Sequence, residues 1–77
     1  MMIVSQDGEK LFINPKVVEK SVLWKMDEKT GVEKAHMFCV KIDGVIAAVY
    51  HTHSEAIGWL EKLQSAYVND RTVFNFY

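Results

Sequence analysis

One continuous stretch, from Val45 to Val68, constrains the fold of this chain most. It begins with the short apolar run VIAAVY, typical of a strand, and ends with a run in which apolar residues recur three and four positions apart, the period of a helix. Between these runs, Thr52 and Glu55 have the spacing of a capping box, which satisfies backbone N–H groups that a first helical turn leaves free. The stretch therefore predicts a strand followed by an amphipathic helix from about His53 to about Val68.

Gly58 interrupts the apolar pattern of this helix. Glycine inside a helix costs about 1 kcal/mol relative to alanine. A neighbouring group that packs too closely for a side chain would explain its presence, and we expect such a contact at Gly58.

Two further strands are predicted upstream of this stretch. Residues 17–26 and 32–42 alternate between polar and apolar side chains, and a polar turn that contains a glycine follows each of them. The second of these turns, Asp43-Gly44, leads directly into residues 45–50. The three segments predict an antiparallel meander.

The two ends of the chain complete the predicted fold. Residues 2–5 and 11–13 are short apolar runs around an Asp-Gly pair, which predicts a hairpin at a sheet edge, and residues 72–77 alternate again as a final strand. The element order is ββ-βββ-α-β. We therefore predict that residues 1–77 form a single α+β domain, with a largely antiparallel β-sheet and one helix packed on it.

Charge and cysteine content limit the class of function. Nine Lys and Arg residues stand against ten Asp and Glu, most of the basic residues are next to an acid, and the formal net charge is −1, which disfavours binding to nucleic acid. The single cysteine, Cys39, excludes an intramolecular disulfide, and its apolar neighbours favour a buried residue of a strand. The first residues lack the pattern of a secretion signal, and no apolar run approaches the ~18 residues of a membrane span. We expect a cytoplasmic protein.

The predicted strands carry apolar residues on both faces. Four or five strands make a sheet about 15–20 Å wide, whereas a helix is only about 10–12 Å across. Something else must then cover the second face: a strongly curled sheet, a second copy of the chain, or another protein. We favour a homodimer or another protein assembly, because a small domain without disulfides gains stability from a shared apolar core. The possible interface residues are Trp24, Phe38, Trp59, Phe74 and Phe76.

A metal site and a catalytic site are less well supported by the residues than protein association. His51 and His53, with His36 on a neighbouring predicted strand, have ligand types that suit zinc, but no second pair of Cys or His accompanies them. Cys39 with His36 or His51 has the residue types of a nucleophile and its base, yet so small a domain offers little room for a pocket of about 300 Å³. We predict no enzyme activity, no cofactor and no metal.

An alternative to protein interaction is nucleic-acid binding through the aromatic C-terminal strand. Phe74 and Phe76 share one face of that strand and have the chemistry to stack on bases, with Arg71 nearby. Aromatic residues at strand spacing are more often part of a core, and the acidic balance of the chain argues against this alternative.

Two short segments carry a resemblance to known proteins. The segment IVSQDGEKL at Ile3–Leu11 and the segment THSEA at 52–56 resemble those of short, uncharacterised phage- and prophage-encoded proteins of Gram-positive bacteria. In those proteins a strand and a Ser-Gln-Asp-Gly turn precede a meander and a helix. The resemblance implies an accessory protein of mobile DNA, and it implies no activity or catalytic residues.

Overall fold

The computed structural model describes the backbone of residues 1–77 and every side chain except that of Ala35. In chain order the elements are β1 (Met2–Val4), β2 (Leu11–Ile13), β3 (Val18–Met26), β4 (Glu33–Ile42), β5 (Val45–Tyr50), α1 (His53–Val68) and β6 (Val73–Asn75). The predicted α+β class, the largely antiparallel pairing and the position of the helix are confirmed. No helix in this described chain is long and apolar enough to cross a membrane.

The strands form two three-stranded sheets, whereas the sequence predicted one. The first has the order β2-β1-β6, with β1 antiparallel to β2 and parallel to β6. The second is the predicted antiparallel meander, with the order β3-β4-β5. The parallel partner of β1 comes from the far end of the chain, so the two termini are joined in one sheet.

The turn between β4 and β5 is built by Asp43 and Gly44. Both have positive φ angles, 50° and 82°, as a two-residue type I′ hairpin turn requires. The Asp43 side chain also accepts hydrogen bonds from the backbone N–H groups of Lys16 and Val17, at 3.0 and 2.9 Å. This carboxylate therefore joins the β4–β5 turn to the segment that enters β3.

Both ends of α1 are capped. The Thr52 hydroxyl oxygen accepts from the Glu55 backbone N–H at 3.1 Å, and the Glu55 carboxylate accepts from that hydroxyl at 3.1 Å. The predicted cap is thus present, although the Glu55 side chain bonds the threonine hydroxyl and not a backbone N–H. At the other end Asp70 has a φ of 53°, and Arg71 N–H donates to the Ala66 carbonyl at 2.9 Å, as in a Schellman motif.

The prediction of a close contact at Gly58 is wrong. A Cβ built at this position would meet no atom within 4 Å other than those of its chain neighbours and of the adjacent helix backbone. The space around Gly58 is open, so packing does not require a glycine there.

The core lies between α1 and one face of the meander. Its buried members come from both sheets and the helix: Ile3, Val40, Ile42, Ala47, Ala48, Tyr50, Ala56, Leu63 and Phe76. Three strands are only about 10 Å wide, so one helix does cover this face, which corrects the sheet width assumed above. The opposite face carries Leu23, Met37 and Val49, all half-buried, around the fully buried Cys39. That face has no helix of the described chain packed on it.

Candidate interaction surface

The two edges of the meander differ in what covers them. At β5, Gln6 N–H donates to the Ala47 carbonyl at 2.8 Å, and the Gln6 side-chain oxygen accepts from Val49 N–H at 2.8 Å. Gln6 therefore occupies the outer edge of β5. At β3, no strand or loop of the described chain pairs with the outer edge.

Backbone hydrogen bonds at the two ends of β3 show which of its residues face this open edge. Asp27 N–H donates to the Val32 carbonyl at 2.9 Å, and Asp43 N–H donates to the Val17 carbonyl at 2.8 Å. Backbone N–H and C=O groups alternate in direction along an antiparallel strand. The backbone groups of odd-numbered residues of β3 therefore bond to β4, and those of even-numbered residues point outward, toward the open edge. The outward-facing residues are Val18, Lys20, Val22, Trp24 and Met26.

The far half of the β3–β4 hairpin extends beyond the rest of the molecule. Strand β5 pairs with β4 only from Phe38 to Ile42, so residues 23–37, which we call the arm, have no third strand beside them. The molecule is accordingly elongated, with extents of 48 × 22 × 19 Å. Trp24 and Met26 lie on the arm and are 61% and 59% exposed. Two large apolar side chains are thus exposed on one small hairpin, which makes this surface a candidate for association.

An apolar groove lies beside the open edge, on the same face of the meander as α1. It has a volume of about 430 Å³ and lies between the first residue of β3 and the C-terminal half of the helix. Its lining residues are Val18, Leu60, Leu63, Gln64, Tyr67 and Val68. The exposed fractions of Tyr67 and Val68 are 43% and 75%. The groove and the open edge together form one continuous surface, which we call the β3 surface.

Of the five interface residues that the sequence suggested, only Trp24 is exposed. Phe38 is half-buried and packs edge-on against the His53 ring, with centroids 5.6 Å apart. Phe76 is only 2% exposed and belongs to the core. The half-buried Phe74 packs against it, with ring centroids 5.1 Å apart. These rings stabilise the fold in this structure.

Trp59 is the centre of the aromatic cluster between the two sheets. Its ring stacks on Tyr50, with centroids 6.0 Å apart and planes 9° from parallel, and it also contacts Phe74, Phe76 and Tyr77. The Lys62 ammonium lies 4.0 Å from the centroid of the Trp59 ring, within the range of a cation–π interaction. This cluster joins α1 to β6, and through it the first sheet packs against the second.

The histidines and Cys39 are not assembled into a site. His36, His51 and His53 are exposed, and among the described side chains no three His, Cys, Asp or Glu residues are close enough to hold a metal ion. The Nδ1 atom of His53 lies 3.0 Å from the Lys20 ammonium. Cys39 is fully buried on the face that α1 does not cover.

A concavity of about 650 Å³ at the end of the arm is larger than the sequence led us to expect. It is open to solvent and is lined by Lys25, Met26, Asp27, Glu28, Lys29, Lys34 and His36. Asp27 accepts a hydrogen bond from Lys29 N–H and forms an ion pair with Lys34 at 3.1 Å, and both interactions hold the pKa of its carboxyl below the usual value. The Asp27 carboxylate is thus accounted for by the turn that it stabilises.

Comparison with protein-family models, with curated proteins and with solved structures found no match. The β3 surface is therefore interpreted from its own geometry. Sequence reasoning identified Trp24 but missed the groove and the role of Gln6, because both depend on contacts between residues far apart in the chain. The one available signal was the long polar and apolar alternation of β3, which is longer than β5, the third strand of the same sheet.

Proposed function

We propose that this protein is a small, non-enzymatic, cytoplasmic module that associates with itself and thereby presents a surface to protein partners. One observation carries the proposal: β3 is a nine-residue strand with an open edge, and it continues into an arm whose Trp24 and Met26 are exposed. Long strand edges that are unpaired offer a row of free backbone groups with which another chain can pair.

The contrast between the edges supports this function. Strands β2 and β6, at the edges of the other sheet, have only three residues each, and Gln6 covers the edge of β5. A nine-residue strand spans about 30 Å, against about 10 Å for three residues. The fold thus protects or shortens every edge except that of β3 and that of residues 33–37 of β4, which extend beyond β5.

Nucleic-acid binding has less support as a function. Its proposed stacking residues, Phe74 and Phe76, pack against each other and against Trp59. The resemblance to phage-encoded accessory proteins stays a prediction, and it is compatible with a role in assembly.

The proposal is tested by the mass of the protein in solution. Light scattering behind size exclusion, over a concentration series from low micromolar to submillimolar, is expected to show a mass that rises toward twice the chain mass of 8.9 kDa. A mass of one chain throughout the series would overturn the proposal.

A further inference from the structure

We propose that β3 pairs antiparallel with β3 of a second copy, in a register centred on Val22, so that two meanders join into one six-stranded sheet. This inference rests on the self-association proposed above and specifies its geometry. The outward-facing residues of both strands would exchange about ten backbone hydrogen bonds in this arrangement. The contact is isologous, meaning that the same surface is used by both copies, as in most homodimers.

The side chains of β3 are complementary to themselves in this register. With Val22 opposite Val22, Glu19 lies opposite Lys25 of the second copy, and each such charge pair occurs twice by symmetry. Val18 lies opposite Met26, both apolar. Opposite charges and apolar pairs directly across two strands stabilise their association.

The neighbouring registers lack this complementarity. Residues whose backbone groups point outward must pair with each other, so even-numbered residues stay opposite even-numbered residues. One strand can therefore shift along the other only in steps of two residues. One step in one direction places Glu19 opposite Leu23 and Lys25 opposite Val17. One step in the other direction places Glu19 opposite Asp27, a like-charge pair. The sequence of β3 thus selects the register centred on Val22.

The exposed apolar residues of the arm also find partners in this register. Residues directly opposite lie on the same face of a sheet, so Met26 of the second copy would lie beside Val18, at the mouth of the apolar groove. The groove and Met26 are both unpartnered in a single copy, where Met26 is 59% exposed. The pairing therefore covers two apolar surfaces of each copy at once.

Lysine on an edge strand commonly prevents association. Of the two lysines of β3, Lys25 would lie opposite Glu19 of the second copy, which leaves Lys20. In the proposed register it lies opposite Trp24 of the second copy. The indole ring, 61% exposed in a single copy, can then accept the Lys20 ammonium in a cation–π contact, in place of the contact of that ammonium with His53 Nδ1. Lys20 becomes a residue that selects its partner strand.

Charge reversal tests the register. In Glu19→Lys or Lys25→Glu, two symmetric pairs change from opposite to like charge, and we expect the dimer Kd to rise about tenfold in each variant. The double variant Glu19→Lys/Lys25→Glu restores opposite charges, and its Kd is expected to return to within about twofold of the original. Lys10→Glu changes the net charge as much as Lys25→Glu but lies outside β3, so it serves as the control.

A cysteine at the symmetry axis gives a second test that needs no change of charge. Residues in a hydrogen-bonded antiparallel pair have Cα atoms about 5.5 Å apart, within the range of a disulfide. Val22→Cys is therefore expected to form a crosslinked dimer under mild oxidation. Lys20→Cys is the control, because its two copies would lie roughly 13 Å apart along the strands. The unmodified chain, whose Cys39 is buried, is expected to stay uncrosslinked.

The outcomes distinguish this inference from the function on which it rests. A monomer at all concentrations would overturn both. A dimer whose Kd does not respond to the charge reversals, or in which Lys20→Cys crosslinks as well as Val22→Cys, would overturn the register while self-association stands. In that case the sheet face around Cys39 becomes the surface to test.

Discussion

Replacing Tyr50 with phenylalanine removes one hydroxyl group from the core, and we expect the protein to become more stable. Tyr50 is 4% exposed, its ring stacks on Trp59, and its hydroxyl oxygen has no hydrogen-bond partner among the described residues. In the unfolded chain the same hydroxyl is bound to water. A buried polar group without a partner costs about 1–3 kcal/mol.

The gain from removing the hydroxyl is partly offset by the space that it leaves. An oxygen atom fills roughly 10 Å³, and at ~24 cal/mol per Å³ this void costs about 0.2–0.3 kcal/mol. The expected net stabilisation of Tyr50→Phe is therefore about 1 kcal/mol, taken from the low end of the desolvation range. For a chain of this size, that raises Tm by about 4–8 °C.

Alkaline pH provides an independent measurement of the same group. Burial, helped by the negative charge of Glu55, raises the pKa of Tyr50 to about 12, from 10.0 for a free tyrosine. Between these values the unfolded chain loses this proton before the folded chain does, so stability falls as pH rises from 10 toward 12. The phenylalanine variant lacks this loss. The stability difference between the two proteins is therefore expected to widen above pH 10.

The assay is thermal and urea unfolding followed by circular dichroism, at neutral pH and in steps through the alkaline range. Tyr77→Phe is the matched control, because Tyr77 is 73% exposed and its hydroxyl is hydrated in both states. We expect no change in Tm for that variant. A Tm for Tyr50→Phe at or below that of the original protein would refute the reasoning, since it would mean that the hydroxyl makes a favourable hydrogen bond.

Three further substitutions test how the fold is held together, each measured as the free energy of urea unfolding. Gly58→Ala is expected to stabilise the protein by about 0.5–1 kcal/mol, because the helix favours alanine and a Cβ there meets no atom within 4 Å other than those of its chain neighbours and of the adjacent helix backbone; destabilisation would show that the site is crowded. Thr52→Ala removes the N-cap and is expected to cost about 1 kcal/mol, whereas Thr52→Ser keeps the hydroxyl and is expected to recover most of it. Asp43→Ala removes the acceptor for two backbone N–H groups at a position with positive φ, and it is expected to cost about 1–2 kcal/mol. Asp43→Asn is expected to cost less, because asparagine tolerates that conformation. An unchanged stability of Asp43→Ala would contradict the role given to this carboxylate.

Local sequence signals predicted the local parts of this fold well. The Thr52 and Glu55 spacing located the start of α1, and the Asp43-Gly44 pair located a type I′ turn, because both structures depend on residues only a few positions apart. Alternation along β3 also placed Val22 and Trp24 on one face correctly. The β-bulge between β3 and β4 lies in β4, so it does not interrupt the alternation of β3. These features depend on backbone geometry and need no knowledge of the tertiary structure.

Long-range pairing was not predictable from the same signals. The parallel pairing of β1 with β6 and the contact of Gln6 with Val49 join residues that no local pattern connects. Dividing the strands between two sheets also changed which apolar side chains need cover. Phe76 was a candidate interface residue from its alternation alone, yet it lies in the core because α1 and the first sheet close over it. Alternation shows that a strand has two faces, but it does not show what covers each of them.

The state of the outer edge of β3 is tested most directly by amide hydrogen exchange, resolved by residue with NMR, at a concentration where the protein is a dimer and after dilution. Odd-numbered amides of β3 already bond to β4, so they are protected in either case. If β3 pairs with itself, the amides of Lys20, Val22 and Trp24 are also protected in the dimer, and they lose that protection on dilution. Fast exchange of these three amides in a sample shown to be dimeric would contradict the proposed pairing.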